Sequence, residues 1–172
     1  MMIKLFKAPD SYWEGWVHDS ALTIHWGRVG EKGEAKTGRP VSGDPQPFLE
    51  QFAAEQRAEG FRDRTDEDYT DFVIQYRIDG FGSENDIGRR HEIESLMDEC
   101  LGWTGNGHCD GGDIGSGSMN VFCMVFDVQA AYRTIWSELT ERKWENGVTL
   151  AYAKDEDEYV VLHPEGGTFS LL

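Results

Sequence analysis

The chain lacks any run approaching the about 18 consecutive apolar residues that a membrane-spanning helix needs. Its first residues, 1–10, carry two lysines but no apolar stretch of signal-peptide length, so the expectation is a cytoplasmic protein with no membrane partner. Cysteine is scarce. Cys100, Cys109 and Cys123 are an odd number with no C-x-x-C pair, which argues against a disulfide framework and suits a reducing compartment. Cations are also in short supply, 16 Lys and Arg against 32 Asp and Glu for a formal charge of -16. The shortage is uneven: residues 1–64 hold nine cations against ten carboxylates, and residues 65–172 hold seven against 22. Such an acidic surface repels phosphate backbones, so general nucleic-acid binding by the whole chain is disfavoured and any such role belongs to a local face of the first part.

Several catalytic signatures are missing as well. No glycine-rich loop carries the lysine of a phosphate-binding loop, and no Ser, His and Asp set sits on a nucleophile turn. Asp110-Gly111-Gly112-Asp113 lacks the oxygen-ligand spacing of a calcium loop. His108, Cys109, Asp110 and Asp113 are candidate metal ligands by type, but neighbouring strand residues point to opposite faces, so no metal is expected there. These absences lead to the expectation of a non-catalytic protein without cofactor or metal.

What is present suffices for a folded protein. Of 172 residues, 39% are hydrophobic and 12% aromatic, enough for one good core or two small ones. Tyr12 to Val17 and Leu22 to Val29 read as a hairpin around His18-Asp19-Ser20, with Leu22, Ile24 and Trp26 alternating on one face. Residues 35–41 can add a third strand. A helix is predicted from about Pro47, with Phe48, Leu49, Phe52, Ala53 and Gln56 at helical spacing and Gly60 as a stop. The charged, apolar-poor run from Arg62 to Tyr69 marks a boundary, giving domains over 1–64 and 65–172.

In the second part Phe72 to Ile78 alternates as a strand, and Ser83 or Asn85 can cap a helix bearing Ile93, Leu96, Met97, Cys100 and Leu101. Between Gly105 and Gly117 lie six glycines in thirteen residues. That stretch reads either as a ligand-facing loop, with His108, Asp110 and Asp113 as its polar groups, or as a bulged edge strand. Met119 to Phe126 suits a central strand, and Val128, Ala131, Tyr132, Ile135 and Leu139 a second helix. Val148 to Lys154 and Tyr159 to His163 form a hairpin around the acidic turn of residues 155–158. The element order predicts an α+β fold close to a ferredoxin-like sandwich with one extra strand.

Tyr12-Trp13-Glu14-Gly15-Trp16, Leu22 to Gly30 with its Trp26-Gly27-Arg28-Val29-Gly30, then Gly33 and the helix ending Glu59-Gly60-Phe61, resemble a WGR domain over residues 1 to about 62. The resemblance implies a small antiparallel sheet with one helix, of the kind found in DNA-dependent poly(ADP-ribose) polymerases and in bacterial proteins beside varied domains. It implies that Trp26 stacks on an exposed nucleic-acid end and that Arg28 links to a neighbouring domain. Lys36 and Arg39 follow the motif within reach of phosphates, while Glu31 and Glu34 place carboxylates beside that path. Two placements are open for Trp26, core packing with Leu22 and Ile24 or ligand stacking. For Arg28 the alternative is an ion pair with an acidic neighbour.

The resulting expectation is a bacterial binding protein whose WGR module recognises a nucleic-acid end or a protein partner, with the acidic domain modulating or recruiting. The alternative is an immunity-type or decoy protein whose acidic domain neutralises a basic, nuclease-like partner. The segment from Trp103 to Gly117 is similar to one recurring in small bacterial domains, some linked to toxin immunity.

Overall fold

Ile3 and Leu5 alternate with Lys4, and the same two-residue period runs on through Trp13 and Leu22, so a single face of successive strands is apolar. In the computed structural model, which describes residues 2–40, 42–156 and 158–171, these strands form an antiparallel meander. Its members are β1 (Met2–Lys7), β2 (Ser11–His18), β3 (Ala21–Arg28), β4 (Glu34–Gly38) and β5 (Arg62–Asp63), in the order β4-β3-β2-β1-β5. The β2–β3 turn is Asp19-Ser20, with φ of 48° and 61°, the backbone sense that suits the right-handed twist of a tight hairpin. The expected third strand is β4; Val41 lies outside the described residues.

Helix α1 (Gln46–Ala58) starts with a proline in its first turn and buries Leu49 and Ala53 against Ile3, Leu5, Trp13 and Leu22. Phe48 and Phe52, which share the helical spacing of Leu49 and Ala53, are exposed. The helix rests on the sheet along the narrow Leu49–Ala53 line, so only that one i, i+4 pair reaches the core. Arg57 grips Asp63 through two hydrogen bonds of 2.8 and 2.7 Å, and Arg62 grips Asp68 through two of 2.7 Å. The Arg62 guanidinium holds the Asp68 carboxyl down at about 2. The second fork spans the expected limit at residue 64. The chain divides into one unit of Met1–Asp68 with Trp103–Gly105 and a second of Tyr69–Gly102 with Asn106–Leu172.

The second unit is built on β6 (Thr70–Arg77), α2 (Glu84–Trp103), β7 (Gly107–Gly115), β8 (Ser118–Val125), α3 (Val128–Glu141), β9 (Val148–Ala153) and β10 (Tyr159–His163). The strands form a five-stranded antiparallel sheet in the order β10-β9-β6-β8-β7. Both helices pack on one face, where Phe72, Ile74 and Val121 meet Ile93, Met97, Leu101, Ile135 and Leu139 in one core. Ser83 caps α2 reciprocally with Asp86: the Ser83 N–H donates to Asp86 Oδ2 at 2.8 Å and the Asp86 N–H to Ser83 Oγ at 3.3 Å. Asn85, the other expected cap, lies inside the helix. Asp127 caps α3 by accepting from the Ala130 N–H at 2.8 Å. On the opposite face of the sheet Gln75 donates to Asn120 Oδ1 and to the Ser170 carbonyl, so the last residues run back over that side. Of the acidic turn at 155–158, Asp157 lies outside the described residues.

The architecture is therefore mixed α/β, with two antiparallel five-stranded sheets and, among the described residues, three α-helices. No helix among the described residues is long and apolar enough to cross a membrane.

Because Leu49 is the fully buried anchor of α1, Leu49→Ala is expected to lower the stability of the first unit by about 2 to 5 kcal/mol. The check is urea unfolding followed by tryptophan fluorescence, since Trp13 packs in the same core. An unshifted midpoint would mean that α1 is not docked on this sheet.

Candidate functional site

The signature Trp26-Gly27-Arg28 occupies the last residues of β3, and its two sides lead to different surroundings. Register places Trp26 opposite Trp13 on one flank and Glu34 on the other, with Ile24 opposite Gly15 and Lys36. Trp26 and Lys36 thus share the sheet face on which α1 lies. The helix packs chiefly over β1 and β2 and reaches Leu22 at the start of β3, while all five residues of β4 are exposed. Trp26 is 37% exposed, against 5% for Trp13 one strand inward. Of the two placements open for Trp26, the structure gives the one that presents the indole to solvent.

Arg28 is exposed and pairs at 3.0 Å with Asp10, on the β1–β2 connection of its own unit. The acidic neighbour of this arginine is therefore local, and the ion pair is solvent-accessible, a class worth at most about 1 kcal/mol. Arg39 is exposed beyond the end of β4. Gly27 backs onto Gly33 and the Tyr12 hydroxyl. Residues 26–40 hold four cations, Arg28, Lys32, Lys36 and Arg39, against the two carboxylates Glu31 and Glu34. In a chain of formal charge -16 this is a local excess of positive charge.

The other sheet face carries residues that the sequence reading passed over. Tyr12 and Glu14 alternate on β2, and His25 on β3 stands directly across from Glu14. All three are buried, His25 to 1% exposure and Glu14 to 3%. The Tyr12 hydroxyl lies 2.8 Å from His25 Nε2, and His25 Nδ1 lies 3.3 Å from Glu14 Oε2, with Lys4 Nζ 3.9 Å from the other carboxylate oxygen. Burial, with the Glu14 charge adding to it, pushes the Tyr12 phenol well above its ordinary value. The phenol thus remains a donor, and the network assigns the imidazole proton to Nδ1, facing the carboxylate.

Three more residues complete this face. Trp103, Thr104 and Gly105, from the end of α2 onward, belong to the first unit. The Trp103 ring meets His25 edge-on at 5.1 Å, alongside Tyr12 at 4.9 Å and Trp16 at 6.4 Å. Backbone carbonyls of Thr104 and Trp103 accept from the N–H groups of Gly30 and Gly33 at 2.9 and 3.3 Å, and the Gly105 carbonyl accepts from Arg64 at 2.7 Å. A Cβ at Gly33 would collide with the Tyr12 hydroxyl, and one at Gly105 with the Tyr12 ring, where φ is also +57°. Glycine is required at both positions by close approach. The turn after Trp-Gly-Arg is thus held between a buried polar chain and a returning backbone segment. A sequence signal for this existed: Glu14 and His25 are polar residues inside otherwise apolar strands.

The residues expected as a ligand loop lie on strand β7, at the edge of the second sheet. The register shifts between Cys109 and Gly112, so Asp110 and Gly111 form a bulge opposite Phe122, as the edge-strand reading requires. His108 faces the side of the sheet away from the helices, with its ring 5.9 Å from that of Tyr69. Its Nδ1 and the Tyr69 hydroxyl are buried without a hydrogen-bond partner among the described residues. Asp113 accepts from Asn120 Nδ2 at 2.7 Å, and Asp110 is exposed at the bulge. Each of the three has its own surroundings, and among the described residues no group of three or more His, Cys, Asp or Glu is placed to hold a metal ion. Two open grooves of about 580 Å³ lie elsewhere in the second unit, one beside His91, Ser95, Arg142 and Trp144, the other beside Arg77, Asp79, Ser83 and Asp86.

Two substitutions probe the buried network. Tyr12→Phe leaves His25 Nε2 unpaired and is expected to cost about 1 to 3 kcal/mol. Gly105→Ala, strained in both φ and space, is expected to destabilise the first unit by more than about 1 kcal/mol. Thermal unfolding of each variant is the measurement, and midpoints equal to the parent's for both would contradict the network described. No family model matches the chain, and neither a curated protein nor a solved structure does, so the site is read from its own residues.

Proposed function

We propose that the first unit is a WGR-type binding module that recognises a nucleic-acid end through Trp26, and that the protein is a non-catalytic binding protein. The observation that carries this reading is the exposed indole of Trp26 at the end of β3, next to the exposed edge strand β4, sharing its face with Lys36 and followed by Arg39. A solvent-facing tryptophan beside cations suits stacking on an unpaired base or duplex terminus, because every base offers a π-face and phosphates supply the counter-charge. The meander with one helix across it, and the Trp-Gly-Arg segment at the end of β3, support the WGR assignment. In the second unit the order β9-β6-β8-β7, with both helices on one face, supports a ferredoxin-like core to which β10 adds a strand. Arg28, paired with Asp10, serves the shape of the module more than a link to another domain.

The test is binding of the full chain to a nicked duplex and to a closed circular duplex across a salt series. Preference for the nicked form, a negative salt dependence, and an about 5- to 150-fold weakening in Trp26→Ala are expected, matching about 1 to 3 kcal/mol of stacking. Equal, tryptophan-independent affinity for both forms, or none at low salt, overturns the reading.

One observation favours a second function, in which the protein is an immunity-type or decoy partner. Residues 65–172 hold 22 carboxylates against seven cations, a distribution suited to fast capture of a basic, nuclease-like protein. On that reading a strongly basic protein co-purifies under low salt, inhibited in its own activity and released at high salt. Isolation of the chain alone under those conditions counts against it.

A further inference from the structure

We propose that Cys109 and Cys123 are an oxidisable thiol pair that closes to a cross-strand disulfide in response to a peroxide, fastening the edge strand β7 to β8. Cys109 and Cys123 stand directly opposite each other in the antiparallel register. Directly opposed residues in such a ladder have Cα atoms about 4.5 to 5.5 Å apart, inside the range of about 4.4 to 6.8 Å that a disulfide spans. Their sulfurs already lie 2.8 Å apart. Closure therefore needs only a small movement of sulfur.

The surroundings assign different parts to the two thiols. Cys123 is buried in the helix-side core, whereas Cys109 sits on an edge strand and is partly exposed, so an oxidant in solvent meets Cys109 first. Its position on the strand is held from α2, where Asp98 Oδ1 accepts the Cys109 N–H at 3.0 Å. The bulge begins immediately after Cys109, so the fastened point lies where the β7–β8 ladder is interrupted. Cys100, the third thiol, lies on α2 and packs against the same core. Burial pushes the Cys100 thiol up to about 12, and the contact with Cys109, then burial, raises that of Cys123. In the structure all three cysteines are free thiols, so the reduced pair is the starting state.

The chemistry balances with hydrogen peroxide as the oxidant. Cys109 sulfur attacks one peroxide oxygen, the O–O bond breaks, one water leaves and a sulfenic acid remains. Cys123 sulfur then displaces the sulfenic hydroxyl, which leaves as a second water with the Cys123 proton as the S–S bond forms. Two thiols lose two electrons, and the peroxide is reduced to two waters.

The experiment uses the full chain treated with hydrogen peroxide, alkylated, and mapped by peptide mass spectrometry without reduction. The expected result is loss of two of the three free thiols, one cross-link joining Cys109 to Cys123, and a mass lower by two hydrogens that dithiothreitol restores. Cys100→Ser keeps the cross-link, and Cys109→Ala and Cys123→Ala each abolish it. Amide exchange across β7 slows on oxidation in the unmodified sequence, a readout that does not depend on a variant folding. Three thiols left intact, a cross-link through Cys100, a disulfide between two chains, or over-oxidised Cys109 beside a free Cys123 would each overturn the proposal.

Discussion

The first unit depends on one buried hydrogen-bond chain, from Tyr12 through His25 to Glu14. Its members come from adjacent strands, so they meet only in the observed register; a slip of one residue would turn each of them to the helix side and the apolar face outward. In a low-dielectric interior the paired chain is strong and an unpaired member is costly, which makes the register close to obligatory. The geometry of the Trp-Gly-Arg segment follows from this. Gly33 must come close to the Tyr12 hydroxyl, and the carbonyls of Trp103 and Thr104 must reach the N–H groups of Gly33 and Gly30. The exposed Trp26 thereby sits on a strand end paired on both flanks, with Trp13 and with Glu34.

That dependence explains which parts of the first unit could be read from the residues alone. The hairpin of β2 and β3 follows from alternation around a two-residue turn, and α1 from helical spacing after Pro47. Strand β1 carries a much shorter signal, Ile3 and Leu5 about Lys4, and is stabilised chiefly by pairing on both flanks. The exposure of Trp26 lay beyond any periodicity argument. A two-residue period decides which face a side chain takes, but whether that column is covered depends on how far α1 extends across the sheet: its core contacts reach Leu22 at the start of β3, while Trp26 at the other end of that strand stays exposed. Glu14 and His25 were visible as polar residues in apolar strands. Their partnership was not, since it requires the pairing register, and Trp103–Gly105 joins them from far along the chain.

In the second unit the legible features are those set by local chemistry: the Ser83–Asp86 reciprocal cap, the alternation of Phe72, Ile74 and Tyr76, and the amphipathic face of α3. The glycine-rich stretch was ambiguous for a physical reason. Glycines permit a mobile binding loop, but they equally permit a backbone to approach its neighbour closely, and at Gly107 and Gly112 a Cβ would meet carbonyl oxygens of β8. Close pairing across a bulge is the outcome, and it separates His108, Asp110 and Asp113 in place of gathering them. The same pairing brings Cys109 onto Cys123, a juxtaposition that thirteen intervening positions conceal in the sequence.

Charge distribution bears on how the proposed end recognition could be selective. Affinity for the side of a duplex grows with the number of phosphates neutralised, and a chain of formal charge -16 with four cations around the Trp-Gly-Arg strand neutralises few of them. Stacking is different in kind. The free energy of an indole on an exposed base arises from contact and desolvation, and it is available only where a base has no stacking neighbour. Excess acid therefore weakens sliding along intact backbone while leaving the Trp26 contribution at an end largely untouched. In this account the acidity that argues against general nucleic-acid binding raises the ratio of end binding to backbone binding, and Glu34, opposite Trp26, acts in the same direction.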